Sequence, residues 1–365
     1  MGEKRISKIV ITGGPCAGKT TAMERIQNRF AKMGYTVIFI PETATELILG
    51  GVAPWTCGSN LEYQMCQMQL QLYKEKVFMQ GAESMDSDRI LIVCDRGLLD
   101  NKAYMSEDDL SVITEKLGIS EIAMQNEYDA VFHLVTAAKG NEDSYTLDNN
   151  GARTETVEEA VVLDDKIIAA WTGHPHLRII GSDENFESKM EHLMKEITSF
   201  LGEPVSYEIE RKYLIKYPDT AYLESLSHCD RVDMIQTYLQ AEDDRELRVR
   251  QCGKNGAYVY TKTEKLPATG IKRIENEEDI TQNEYLDLLM DADPNMRQIR
   301  KVRYRLTYKE QYFEIDIYPF WDDKAIMEIE LCDESEQVEL PEFIEVIREV
   351  TDDYQYKNSE LAKIK

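Results

Sequence analysis

The chain has no disulfide signature. Its seven cysteines, at 16, 57, 66, 94, 229, 252 and 332, form no CxxC pair, and several fall inside apolar runs. That argues against a cysteine-stapled secreted domain and reads as reduced core thiols in a cytoplasmic protein. No apolar stretch approaches the length needed to cross a bilayer, and Met1-Gly2-Glu3-Lys4-Arg5 leads straight into a strand-like run rather than a secretory start. Basic residues are in deficit. Lys and Arg number 42 against 68 Asp and Glu, a net charge of −26 that divides evenly into −13 for 1–203 and −13 for 204–365. Such a surface disfavours nucleic acid and anionic membranes as partners, although a basic lining can still sit inside it. Histidine is scarce. His174-Pro175-His176 has no third ligand at useful spacing, so a turn before a strand is expected there rather than zinc. No Asn-Lys-x-Asp guanine-reading sequence occurs either, which favours ATP over GTP.

What the chain does have is Gly13-Gly14-Pro15-Cys16-Ala17-Gly18-Lys19-Thr20, placed directly after the apolar run Ile6 to Thr12. Gly13 and Gly18 let the backbone wrap a phosphate with successive N–H groups inward. The following helix offers its positive end, Lys19 reaches the β/γ-phosphates and the Thr20 hydroxyl can hold Mg²⁺. Thr21 completes the expected nucleotide-binding stretch. Helical spacing follows over Thr20 to Met33. Strand-like runs come at Tyr35 to Ile40, Arg89 to Cys94, Ala130 to Val135 and Leu177 to Ile180, with helices between them, a long one over Leu61 to Met79 and a last one near Phe186 to Phe200. Apolar strands alternating with helices predict an α/β domain with a parallel sheet covered on both faces, whose ligands collect at the carboxyl ends of the strands.

Three such ends carry chemistry: the glycine-rich loop, Glu42, and Asp95-Arg96. Asp95 is the expected second metal anchor, with a helix N-cap as its alternative. Glu42 is a candidate base for an acceptor hydroxyl, with a solvated turn residue as its alternative. Arg96 is placed with the nucleotide. In the long helix, Gln64 or Gln67 could read a base edge. Residues 138–155 are polar and suit a closing lid bracketed by Lys139 and Arg153, the latter a catalytic cation or an ordinary surface arginine. These features resemble the ATPase/kinase domain of the ribosylnicotinamide kinases and, more distantly, the nucleoside and nucleotide kinases, over about 1–200. The resemblance implies nucleotide binding with Mg²⁺ and phosphoryl transfer.

The second half, expected from residue 204 after Gly202-Glu203-Pro204, is marked by charges at period two. Glu208, Glu210 and Lys212 share one side of a strand. Arg248 with Arg250, Lys262, Arg273 with Glu275 and Glu277, Lys301 with Arg303 and Arg305, Glu314 with Asp316, and Glu328 with Glu330 repeat the pattern. Acidic and basic rows in that order predict an α+β domain built on an antiparallel barrel with a polar interior suited to Mg²⁺ or Mn²⁺ and a chain of phosphates. The Glu208-x-Glu210-x-Lys212 strand resembles the signature of the CYTH, or triphosphate tunnel metalloenzyme, family, from about 205 to 365. That resemblance implies an eight-stranded tunnel, with Glu208, Glu210, Glu328 and Glu330, joined by Asp316, holding metal. It also implies a triphosphate on Arg248, Arg250, Lys262, Arg273, Lys301, Arg303 and Lys357, with Lys212 or a metal-bound water assisting attack at the terminal phosphorus. The expected ligands are thus a nucleoside triphosphate and a phosphorylated small molecule.

Overall fold

The computed structural model describes residues 4–139, 156–181, 185–202, 209–241, 245–267, 273–331 and 336–364. Arg153, most of the expected lid and Glu208 lie outside them. The chain divides into two compact units, Met1–Lys195 and Glu196–Lys365.

The first unit begins with β1 (Arg5–Thr12), α1 (Lys19–Lys32), β2 (Thr36–Ile40), α2 (Thr43–Leu49), α3 (Asn60–Ser84) and β3 (Arg89–Asp95). A 3₁₀ turn (Leu98–Tyr104), α4 (Glu107–Leu117), α5 (Glu121–Asn126), β4 (Ala130–Leu134), α6 (Val157–Trp171), β5 (Leu177–Ile180) and α7 (Phe186–Phe200) follow. All strand pairings are parallel, in the order β2-β3-β1-β4-β5. Ile9, Val10 and Ile11 of β1 and Ile90 to Cys94 of β3 have no exposed surface, as expected of central strands covered on both faces. β1 sits mid-sheet, so the loop after it opens beside the carboxyl ends of β3 and β4. His174 bonds the Tyr128 carbonyl at 2.8 Å and accepts from the His176 amide at 3.0 Å, so it closes a turn before β5 as expected.

The second unit contains β6 (Ile209–Lys216), α8 (Thr220–Ser225), β7 (Cys229–Leu239), β8 (Glu246–Lys254), β9 (Ala257–Pro267), β10 (Arg273–Ile280) and α9 (Gln282–Leu288). It continues with β11 (Ile299–Tyr308), β12 (Gln311–Ile317), β13 (Lys324–Leu331), β14 (Val346–Glu349) and α10 (Asn358–Ala362). These form one nine-stranded antiparallel sheet, β10-β9-β8-β7-β11-β12-β13-β6-β14. An eight-stranded closed barrel was the expectation. Among the described residues no pairing joins β10 to the far side of the sheet. The reason lies in β14, which pairs with the edge of β6 that a closing strand would need.

Alternation splits the sheet into two chemically distinct faces. Tyr213, Ile215, Tyr304, Leu306, Phe313, Ile315, Met327 and Ile329 point one way and bury against Leu223 of α8 and Ile344. The opposite face carries the charged residues. It is capped at one end by Leu214, Ile299, Tyr318 and Ile326, which pack with Val350 and Ala362 near the chain end. β8 and β9 are joined by Asn255 and Gly256, both with positive φ (52° and 80°), between paired Lys254 and Ala257. Two consecutive positive φ angles are the signature of a type I′ hairpin, which favours Asn-Gly.

Phe313 has no exposed surface at the centre of the apolar face. Phe313→Ala is expected to destabilise this unit by about 3–5 kcal/mol, read as a lower urea midpoint for its unfolding transition.

Candidate functional site

In the first unit the glycine-rich loop adopts the wrapped form its sequence implies. Gly13 (φ 140°), Cys16 (57°) and Gly18 (93°) all lie at positive φ. A Cβ on Gly13 would fall 2.1 Å from the Leu134 carbonyl oxygen, so only glycine fits where the loop passes β4. Gly18 hands the chain to α1 at Lys19, and the Thr20 side of the helix start is exposed. The Lys19 ammonium lies 3.1 Å from the Gly13 carbonyl and 3.4 Å from that of Gly14. Burial and the nearby Arg96 guanidinium pull its pKa down to about 8, against the opposing pull of Asp95, Glu42 and Asp100. An anion beside it would raise that value again.

Asp95 closes β3, and its Oδ1 is buried without a hydrogen-bond partner. Burial raises its pKa, and Glu42 adds to this while Lys19 opposes it. An orphaned carboxylate oxygen is costly in isolation and fits a divalent cation, with the exposed Thr20 hydroxyl as the second protein donor. Arg96, expected with the nucleotide, is held by two carboxylates. Its guanidinium is 2.6 Å from Glu42 Oε1 and 3.1 Å from Asp100 Oδ1, with a backbone at φ 69°. Glu42 is likewise engaged. Burial works to raise its pKa, but Arg96, the Thr45 hydroxyl and Lys19 together hold it below the usual carboxylate value. In this arrangement it is an ionised carboxylate engaged by Arg96 and Thr45.

The residue that gathers these groups, Asp100, carried no motif. It is 2 % exposed and accepts from the Thr12 hydroxyl, from Arg96, from the Gly97 amide (2.8 Å) and from the Trp171 indole N–H (3.2 Å). Its position two residues past Arg96-Gly97-Leu98 was the available signal. Of the glutamines in α3, Gln67 donates to Asn101 at 2.6 Å, and Asn101 in turn donates to Gln71, so these two are committed within the unit. Gln64 is buried with its Oε1 unpartnered.

In the second unit the charged residues meet by register, because directly opposed residues of antiparallel strands share a face. Arg303 stands opposite Asp316, Arg305 opposite Glu314, Glu314 opposite Glu328, Glu328 opposite Lys212 and Glu330 opposite Glu210. Arg248 and Arg250 lie opposite Thr263 and Thr261. The Lys212 ammonium reaches Glu328 at 2.8 Å and Glu210 at 3.3 Å. Arg303 grips Asp316 through two nitrogens, at 2.6 and 2.7 Å, and also reaches Glu314 and, at 3.4 Å, Glu328. Lys301 bonds the same Asp316, and Arg250 lies 3.5 Å from Glu277.

These neighbours set the protonation states. Burial and Arg303 push Lys301 down to about 8, with Asp316 opposing. Burial alone would lower Lys212, but Glu328 and Glu210 raise it above the ordinary lysine value, so it stays an ammonium. For Glu210 burial comes first, Glu328 adds to it, and its pKa ends raised despite Lys212 and Lys265. Burial also opposes ionisation of Glu328, but Lys212, Arg303 and Lys301 together outweigh it and the pKa ends lowered. Lys212 only partly offsets the burial that keeps the Glu210 pKa raised. Among the described residues no three Asp, Glu, His or Cys side chains converge closely enough to hold a metal ion.

Lys262 does not belong to this face. Its β9 register places it opposite Val249 and Glu278, with the ammonium 2.7 Å from Glu278, on the side packed by α9. Thr261, Thr263 and Lys265 point inward instead. Counting alternation back from the hairpin would have found Lys265. Lys357 precedes α10, half-buried and off these strands. Arg273 begins β10, opposite Pro267.

Comparison with known proteins agrees with this division. Residues 8–189 match the model of the AAA domain and residues 206–363 that of the CYTH domain. The chain is thus an AAA domain followed by a CYTH domain. Among solved structures, the hypothetical protein NE1496 is 30% identical, covering 42% of this chain and 97% of that one, with a TM-score of 0.30. A structure described as the inorganic triphosphatase NE1496 is 28% identical over 42% and 93%, TM-score 0.29. The PH1819 protein from Pyrococcus horikoshii OT3 is 17% identical over 34% and 80%, TM-score 0.28. No curated protein matches the chain. Among the described residues no helix is long and apolar enough to cross a membrane.

Asp100→Ala would leave the Arg96 guanidinium, the Gly97 amide and the Trp171 indole N–H without their shared acceptor. It is expected to cost about 3–5 kcal/mol, measured by denaturant unfolding of the first unit.

Proposed function

We propose that the chain is a bifunctional phosphotransfer protein. Its first domain, 1–203, binds ATP or GTP with Mg²⁺ and transfers the γ-phosphoryl group, as a kinase similar to the ribosylnicotinamide kinases. Its second, 204–365, hydrolyses a triphosphate, inorganic or organic, to a diphosphate and phosphate with Mg²⁺ or Mn²⁺. The observation that carries the reading is the gathering of Lys212, Arg248, Arg250, Lys301 and Arg303 with Glu210, Asp316 and Glu328 on one face of the CYTH sheet. Five cations can share the charge of a triphosphate, and the carboxylates can hold the metal that completes its neutralisation.

Hydrolysis requires water to attack the terminal phosphorus while the bridging P–O bond to the diphosphate breaks. The metal, held by Glu210, Asp316, Glu328, Glu330 and Glu208, would polarise the phosphate oxygens. Arg303 and Lys301 orient the chain of phosphates. Lys212 remains protonated, so it cannot take a proton from the water. Its part is to stabilise charge developing on the phosphoryl oxygens. In the first domain the phosphates lie against the loop amides and Lys19, with Thr20 and Asp95 toward the metal. The free thiols of the described cysteines fit a reducing cytoplasm.

A second reading draws on Glu42. Because Arg96 and Thr45 hold this carboxylate ionised and occupied, the first domain also suits a nucleotide-dependent regulatory role, in which occupancy controls capture of a phosphorylated ligand by the second. Phosphate release from a panel of nucleotides separates the two, since a regulatory domain holds nucleotide without turnover.

Two substitutions in the full chain test the assignments separately. Lys19→Ala is expected to abolish ATP and GTP binding in calorimetry while tripolyphosphate hydrolysis continues; unchanged affinity would refute the loop assignment. Glu210→Gln is expected to abolish tripolyphosphate hydrolysis while nucleotide binding continues, because it removes one anionic metal ligand of nearly unchanged size. Full hydrolysis in that variant, or in the parent with EDTA, would refute the metal-dependent triphosphatase.

A further inference from the structure

The back of the glycine-rich loop is held by three side chains from other elements. Asp164 of α6 has no exposed surface, and its Oδ1 accepts from the Gly14 amide at 2.9 Å and the Thr136 amide at 3.2 Å. The same oxygen lies 3.0 Å from His133 Nε2, and Oδ2 takes the Lys139 ammonium at 2.9 Å. The Thr136 hydroxyl donates to the Pro15 carbonyl. Lys189 of α7, 5 % exposed, donates to the Ala17 carbonyl at 3.1 Å and to that of Val135.

A trans peptide is planar, and its C=O and N–H point in opposite directions. Drawing the Pro15 carbonyl toward Thr136 therefore turns the Cys16 N–H away from it, and drawing the Ala17 carbonyl toward Lys189 turns the Gly18 N–H away likewise. At peptide 13–14 the polarity is reversed. There the N–H of Gly14 is taken backward by Asp164, so the Gly13 carbonyl points forward, and that carbonyl is the one 3.1 Å from the Lys19 ammonium.

We infer that Asp164 is a positioning residue for nucleotide binding: by fixing peptide 13–14 it aims the Gly13 carbonyl that places Lys19, while Thr136 and Lys189 aim the neighbouring amides. The ligand class it serves is a nucleoside di- or triphosphate, recognised through its β/γ-phosphates. Asp164 acts through the loop and does not touch the nucleotide. The inference rests on the reading that this loop binds nucleotide, and the Lys139 and His133 contacts balance the buried charge so that the carboxylate can stay beneath an anion site.

The test compares ATP with AMP in the full chain with Mg²⁺, by calorimetry. Asp164→Ala is expected to weaken ATP about tenfold, the scale of one buried hydrogen bond, and to leave AMP unchanged. Asp164→Asn, which still offers an acceptor to the Gly14 amide, is expected to recover most of the loss. Thr136→Val keeps the side-chain volume and is expected to weaken ATP severalfold, with a lowered melting temperature from the lost buried hydroxyl. Equal ATP affinity in Asp164→Ala, or ATP and AMP weakened alike, overturns the proposal. So does unchanged ATP affinity in Thr136→Val, which decides the matter even if Asp164→Ala proves unfolded. Failure of the parent chain to bind any nucleoside triphosphate would instead remove the nucleotide reading itself, and the proposal with it.

Discussion

The cations best placed to hold a phosphate already hold an oxygen of the chain itself. Lys212 has Glu210 and Glu328, Arg303 has Asp316 and Glu314, Lys301 has Asp316, and Lys19 has the Gly13 carbonyl. A row of buried cations without counter-ions would not fold, because each would bear its full desolvation cost. The acidic rows are therefore a requirement of the basic ones. A net charge of −26 is thus compatible with a basic lining. Under the proposed function a triphosphate would not meet an open positive field; it would exchange places with carboxylates.

The two domains present their candidate phosphate-binding groups by different means. In the AAA domain these are peptide units, whose orientation depends on glycines at positive φ and on side chains behind the loop. In the CYTH domain they are side chains, whose orientation depends on strand alternation. There the apolar core lies on one face, under α8, while the opposite face is ionic apart from its apolar end. The arrangement works because the outer apolar face supplies the stability that the ionic face does not.

Much of this was legible in the sequence where a single physical rule dominates. The loop from Gly13 to Thr20, the strands at 36–40, 89–95 and 177–180, and the helix at 186–200 follow from glycine punctuation and apolar periodicity. That acidic and basic rows share one face follows from period-two charge, while the particular pairs, Arg303 with Asp316 and Lys212 with Glu328, needed the strand register. What escaped depends on partners distant in sequence. Asp100 looks like an ordinary turn residue until Thr12, Arg96 and Trp171 surround it. Arg96 and Glu42 were read as separate functional groups, whereas β2 and β3 lie side by side and pair them. The barrel was expected to close because nothing in Val346–Glu349 announces an added edge strand. Asp164 sits in an amphipathic helix with no motif around it.

The assignment of Lys262 failed on one residue of phase, and the tight hairpin at Asn255-Gly256 explains why that phase is so consequential. β9 carries lysines at 262 and 265, an odd distance apart, so one always faces inward and the other outward. Were the connection one residue longer or shorter, the strand would slide, Lys262 would turn into the ionic face and Lys265 would leave it. Total charge would be unchanged, but the position of the inward lysine along the strand would shift by two or four residues, about 7 or 13 Å according to the direction of the slide. The length of a two-residue turn at the sheet's margin thus fixes where along the ionic face this cation stands, and loop-length variation there would relocate it with every charged side chain retained.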